Sequence, residues 1–109
     1  MATPHAASAG VRRALRKLGA DIHDARIRRH LTMAVVADRA FTTRATLQRV
    51  EAGDPAVGMG IYASVLQALG LLDGLAGAAD IAADSQGQLL VASRSPKRVR
   101  FPRERKTDV

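Results

Sequence analysis

Arg44, Gln48 and Arg49 stand close together in the segment TRATLQRVE, Thr43 to Glu51, in which Leu47 and Val50 are the only large apolar residues. Arginine and glutamine carry fixed arrays of donors. An arginine suits the O6 and N7 edge of guanine, and a glutamine suits the edge of adenine. Such donors act together only if one helix face presents them. With Arg44 as origin, Gln48 falls about 40° away, Ala52 about 80°, Ala45 about 100° and Arg49 about 140°. Leu47 and Val50 fall near ~300° and ~240°. The apolar pair therefore anchors one side, and two arginines, a glutamine and small alanines occupy the other. Small residues between long basic ones let a helix backbone come close to a surface, and the major groove of DNA admits one α-helix. A solvated amphipathic helix shows the same two-sided pattern, so the neighbouring elements decide between the two.

Those elements read as helices. From Val11, residues Leu15, Leu18, Ile22, Ala25 and Arg26 recur at spacings of three and four, the period of one helix face. Residues 1–10 are small and polar without a period and are expected to be disordered. A second helix runs from Met33 to Ala40 with Thr32 as N-cap and Val36, Ala37 and Ala40 inward. Phe41 and Thr42 follow, and Thr43 caps the third helix. Gly53 is its expected C′ residue, because glycine takes the left-handed conformation without a Cβ penalty. Asp54-Pro55 is a turn. A fourth helix from Met59 to Leu69 buries Ile61, Tyr62, Val65, Leu66 and Leu69, and Gly70 closes it. A fifth covers Leu71 to Ala78. QLLVAS, Gln88 to Ser93, reads as a short strand. A lone strand lacks a ladder partner, so it is expected to pair with its copy in a dimer. This divides the chain into a tail (1–10), a helical domain (11–79), a linker with the strand (80–94) and a basic tail (95–109).

Composition agrees with an all-α fold. Hydrophobic residues make up 47% of the 109, yet aromatics only 3%, so the core rests on Ala, Leu, Val and Ile. The absence of cysteine excludes disulfides and thiolate metal sites. No apolar run reaches the about 18 residues of a membrane span, and MATPHAASAGVRR has no apolar core of a secretory signal. The expected location is the cytoplasm. The net charge of +7 is unevenly distributed. Residues 1–49 hold ten Lys and Arg against three acids, 50–93 hold five acids and no Lys or Arg, and 94–109 hold seven Lys and Arg against two acids. A basic front, an acidic middle and a basic tail fit a polyanion-binding face joined to something else. Solubility charge with a disordered tail would look the same.

Other chemistry finds little footing. Gly58 and Gly60 echo a phosphate loop but lack its preceding strand and its Lys-Ser/Thr end. His5, His23 and His30 lack metal-ligand spacing. Ser64 has no His or Asp placed to activate it. No enzyme activity, metal or cofactor is expected.

The order of these helices adds a resemblance. LGADIHDAR, LTMAVVADRA, TTRATLQRVEAG and IYASVLQALG, at these spacings between Leu18 and Leu69, resemble the Xre-type helix-turn-helix repressors, the phage repressor and Cro family. The likeness covers about half of the chain. It implies a five-helix DNA-binding domain whose third helix enters the major groove. Carried over by position, Arg44, Ala45 and Arg49 would read base edges, and Thr43, Thr46 and Gln48 would serve phosphates or neighbouring bases. Arg26 and Glu51 would form an ion pair that orients helices one and three. Three positions depart from the family pattern. Phe41 stands where the turn usually has glycine, Met33 where helix two often begins with glutamine, and Ala52 where a polar residue often faces the backbone. At Phe41 either the turn differs or the ring packs as a plug. Basic residues in 12–17 or 97–106 could replace the missing phosphate contacts, since such contacts carry no sequence information.

VGMGIYASVLQALG and SPKRVR are further similar to HipB-type antitoxins. That resemblance implies a homodimer that binds a palindromic operator, represses its own operon and holds a HipA-type kinase toxin. A stand-alone Xre regulator and a nucleic-acid-coating protein without sequence preference are the other readings.

Overall fold

The computed structural model describes residues 6–94; the first five residues and the basic tail 95–109 lie outside the described part. All regular structure in it is helical. The order is α1 (Ala9–Arg28), α2 (Met33–Arg39), α3 (Arg44–Glu51), α4 (Met59–Ala68), α5 (Leu72–Ala76), a single 3-10 turn (Ile81–Ala83) and α6 (Ser85–Ser93). No described helix is long and apolar enough to cross a membrane.

Packing divides the chain between Leu75 and Ala76. In the first unit α3 packs against both α1 and α2, and α2 packs against α4. Ile22 and Ala25 of α1, Val36 and Ala37 of α2, Leu47 and Val50 of α3, and Tyr62, Val65 and Leu66 of α4 meet in one core. Ala40, Val57 and Leu69 complete it from the connections. Each Leu, Ile or Val buried there contributes about 1.5–3 kcal/mol. Ile61 is only half-buried against its edge.

The starts of α1, α2 and α3 are set by hydroxyls. Thr32 Oγ1 accepts from the Val35 amide and Thr43 Oγ1 from the Thr46 amide, both at 3.1 Å. Each satisfies a donor that the helix itself leaves free. The disorder expected for 1–10 is corrected at its end. Ser8 Oγ accepts from the Val11 amide at 3.2 Å, α1 begins at Ala9, and Ala7 is buried. One serine thus extends the helix back beyond the start that apolar spacing suggests.

Four helices stop in the same way. The amide three residues past each helix donates to the carbonyl five residues back: Leu31 to Arg26, Thr42 to Ala37, Asp54 to Arg49 and Leu71 to Leu66, at 2.8–3.1 Å. This closure requires a left-handed residue just before that amide. His30, Phe41, Gly53 and Gly70 fill the position with φ of 55°, 56°, 75° and 76°.

Gly53 has a second duty with Gly19. A Cβ on Gly19 would lie 2.6 Å from the carbonyl oxygens of Val50 and Glu51, and one on Gly53 would lie 2.5 Å from the Leu15 carbonyl. The end of α3 therefore rests on the bare backbone of α1.

In the second unit the strand expected at 88–93 is corrected. These residues belong to α6. Asp84 Oδ1 caps it by accepting from the Gly87 amide at 2.9 Å, and Gln88 Nε2 donates to the Ile81 carbonyl at 2.6 Å. With its backbone bonds closed inside the helix, the segment offers no ladder to a second copy. A short run such as LLV fits either conformation; the Asp84 cap favours the helix. No residue of 76–94 is buried, and Leu89, Leu90 and Val91 are exposed.

Candidate nucleic-acid interface

The buried pair Leu47 and Val50 fixes the rotation of α3 about its axis. Everything at about the opposite angle must then face outward. Thr43, Arg44, Ala45, Gln48, Arg49 and Ala52 are all exposed, and Thr46 is half-buried. No acid lies among them. Arg44 and Gln48 make no side-chain hydrogen bond among the described residues, so their donors are free. Thr43 is occupied. Its hydroxyl caps α3 and donates to Thr46 Oγ1 at 3.1 Å.

Arg49 is also engaged. Its Nε donates to Asp54 Oδ2 at 2.8 Å, while Asp54 Oδ1 accepts from the Ala56 amide at 2.8 Å. The Arg49 bond, joined by that amide, holds the Asp54 carboxyl below its ordinary range. The Asp54 carbonyl accepts from the Tyr62 hydroxyl at 2.8 Å, which ties the turn to α4. Arg49 remains half-exposed while its Nε is held. Asp54 was visible in the sequence as the first residue of an Asp-Pro turn. Its pairing with Arg49 depends on the left-handed Gly53 folding the chain back.

Behind α3, Arg26 and Glu51 meet in a two-pronged ion pair. Arg26 Nε donates to Glu51 Oε2 at 2.7 Å and Nη2 to Oε1 at 3.0 Å, with side chains only 8% and 9% exposed. Arg26 Nη1 also donates to the Leu31 carbonyl at 3.2 Å, linking the pair to the end of α1. Burial works to raise the Glu51 carboxyl, but the bonds from Arg26 and His23 outweigh it and leave the group below its ordinary value. His23 Nδ1 lies 2.9 Å from Glu51 Oε1 and 3.2 Å from Arg26 Nη2. One nitrogen cannot donate to the first and accept from the second, so a protonated Nδ1 serves Glu51 alone. His23, one helical turn before Arg26, was read in the sequence only as a histidine without metal spacing.

The positions that depart from the family pattern resolve as follows. Phe41 keeps the left-handed turn, at φ 56°, and its ring is 95% exposed. The ring therefore does not pack as a plug. Met33 is half-buried against the core, and Ala52 is exposed as the C-cap of α3.

Arg12, Arg13, Arg16 and Lys17 are exposed on the first half of α1, whose first turn holds no acid. Lys17 pairs with Asp21 at 2.5 Å. Arg12 donates to the Ala7 carbonyl at 2.6 Å. Among the described residues Arg13 and Arg16 have no ion-pair partner. Because Gly53 abuts the backbone of Leu15 and Arg16, this basic stretch lies beside the end of α3. The arrangement is therefore a braced helix with free planar donors outward, next to a second cluster of positive charge.

No protein-family model matches the chain, and comparison with curated proteins and with solved structures gives no match either.

Proposed function

We propose that the chain is a sequence-specific, double-stranded DNA-binding repressor of the helix-turn-helix kind, with α2 as the supporting helix and α3 as the reading helix. The observation that carries this reading is the outward face of α3. It presents Arg44, Ala45 and Gln48 free of internal bonds, on a helix braced by Leu47, Val50 and the Arg26–Glu51 pair. Arg44 would take guanine, Ala45 a thymine methyl, and Gln48 an adenine or a phosphate. Arg49 would contact the DNA through its Nη groups. Arg12, Arg13 and Arg16 would hold phosphates in place of the polar groups absent at Met33 and Ala52.

A homodimer on a palindrome would place two reading helices about 34 Å apart. Sedimentation of the full chain tests that assembly. The antitoxin form of the reading, in which a HipA-type kinase is also held, draws on the Val57–Gly70 and SPKRVR resemblance. The exposed Leu89, Leu90 and Val91 in a segment without Lys or Arg also favour a protein partner. Co-elution with the product of an adjacent gene tests it.

The deciding experiment is fluorescence anisotropy with the DNA upstream of the protein's own gene and a scrambled duplex, at low and near-physiological salt. A preference that survives salt is expected. Equal binding that collapses with salt would leave only an electrostatic footprint and would overturn the reading.

A further inference from the structure

Phe41 combines two features that the folded chain alone does not favour. Its φ of 56° is imposed by the closure of α2, where the Phe41 amide donates to the Asp38 carbonyl at 3.1 Å and the Thr42 amide to the Ala37 carbonyl at 2.9 Å. A bulky side chain is an outlier in that region, whereas histidine, which stands at His30 in the matching position of α1, is among the residues that tolerate it. The ring then gains nothing from the core, since it is 95% exposed. Strain kept without a packing gain marks a position held for contact with something outside the chain.

The neighbourhood says what that is. Phe41 stands three residues before Arg44, in the turn that leads into α3. Arg39 and Arg44 are exposed on either side of it in sequence, against the exposed acid Asp38. Thr42 and Thr43 lie between, so the segment carries small hydroxyls and a net positive charge. An aromatic ring among cations and hydroxyls suits a nucleic acid, where it can pack on a thymine methyl or a deoxyribose. A protein-binding patch would need further large apolar residues, and none stands between Val36 and Leu47 apart from Phe41. We infer that the Phe41 ring is an apolar DNA contact at the leading end of α3, adding to the polar reading set. This rests on the proposed DNA-binding function.

The test reads the strain by stability and the ring by affinity. Phe41→Gly removes both, Phe41→Asn removes the ring with a residue that tolerates the left-handed region, and Phe41→Tyr keeps both. The full chain is used with a duplex recovered by the wild type from a randomised pool, and with its scramble. Phe41→Gly should raise the Tm by about 5 °C and yet weaken the recovered duplex at least about fivefold. Phe41→Asn should weaken it similarly, and Phe41→Tyr should bind like wild type. Because stability and affinity move in opposite directions, misfolding cannot imitate the result. If Phe41→Gly and Phe41→Asn match the wild type on a duplex that the wild type prefers, the Phe41 assignment alone falls. If the wild type prefers no duplex, the assignment falls together with the DNA-binding reading.

Discussion

The two outward arginines of α3 differ in freedom, and this sets what their removal does. Arg44 has no internal bond among the described residues. Arg44→Ala should leave stability within about 0.5 kcal/mol while losing about 1–3 kcal/mol of discrimination at one base position per half-site. Anisotropy on single-base variants of the preferred duplex checks this; an equal loss on every duplex would contradict it. Arg26 is the opposite case. Arg26→Ala leaves Glu51 buried without its partner and should cost about 3 kcal/mol in denaturant melts. The pair also sets a pH response. The Glu51 carboxyl is held below its ordinary value of 4.5, so its contribution is present above that value and is lost as the pH falls through the folded-state value. Stability measured between pH 7 and pH 3 should fall on the acid side, and Glu51→Gln should flatten that fall. Arg26 stood out in the sequence as a charge on the apolar face of α1. Its partner Glu51 lies on another helix, which periodicity within α1 cannot supply and only the resemblance named; neither signal supplied the Asp54 bond that occupies Arg49.

Among the elements, apolar spacing located α2, α3 and α4 to within a residue or two of their ends, and hydroxyl caps fixed the starts of α2 and α3, because both signals are local. Three things were not legible. Ser8 caps α1 from a stretch with no period. The apolar run in α6 has too few residues to show a period of 3.6 rather than 2. Gly19 reads as an indifferent helical residue until α3 is laid across it. That crossing gives a paired prediction. Gly19→Ala forces a Cβ against three backbone atoms at 2.6–2.7 Å and should destabilise by about 2 kcal/mol, despite the better helix propensity of alanine. Gly60→Ala in α4 meets nothing within 4 Å and should stabilise by about 0.5 kcal/mol. Urea melts of the two variants should move in opposite directions.

For the whole molecule, the uneven charge was plain from the sequence, and the exposed arginines of α1 and α3 fall within its basic front. Six Lys and Arg lie in 97–109. Deleting them should weaken every duplex alike and flatten the dependence of log K on log salt, without changing base preference. A change of preference on deletion would move the reading set away from α3. The four matching helix stops carry a consequence for how the chain reaches its fold. Each closure is made between residues five apart, so every helix of the first unit from α1 to α4 knows where to end before it has met a neighbour. What remains is to bring together pieces of settled length over short connections, with the α1–α3 crossing and the α2–α4 contact as the long-range steps. Chains dominated by local contacts refold in microseconds to milliseconds. Stopped-flow refolding should therefore show the first unit forming in one rapid phase, and Gly19→Ala, which obstructs the crossing, should slow that phase more than any change at the helix ends.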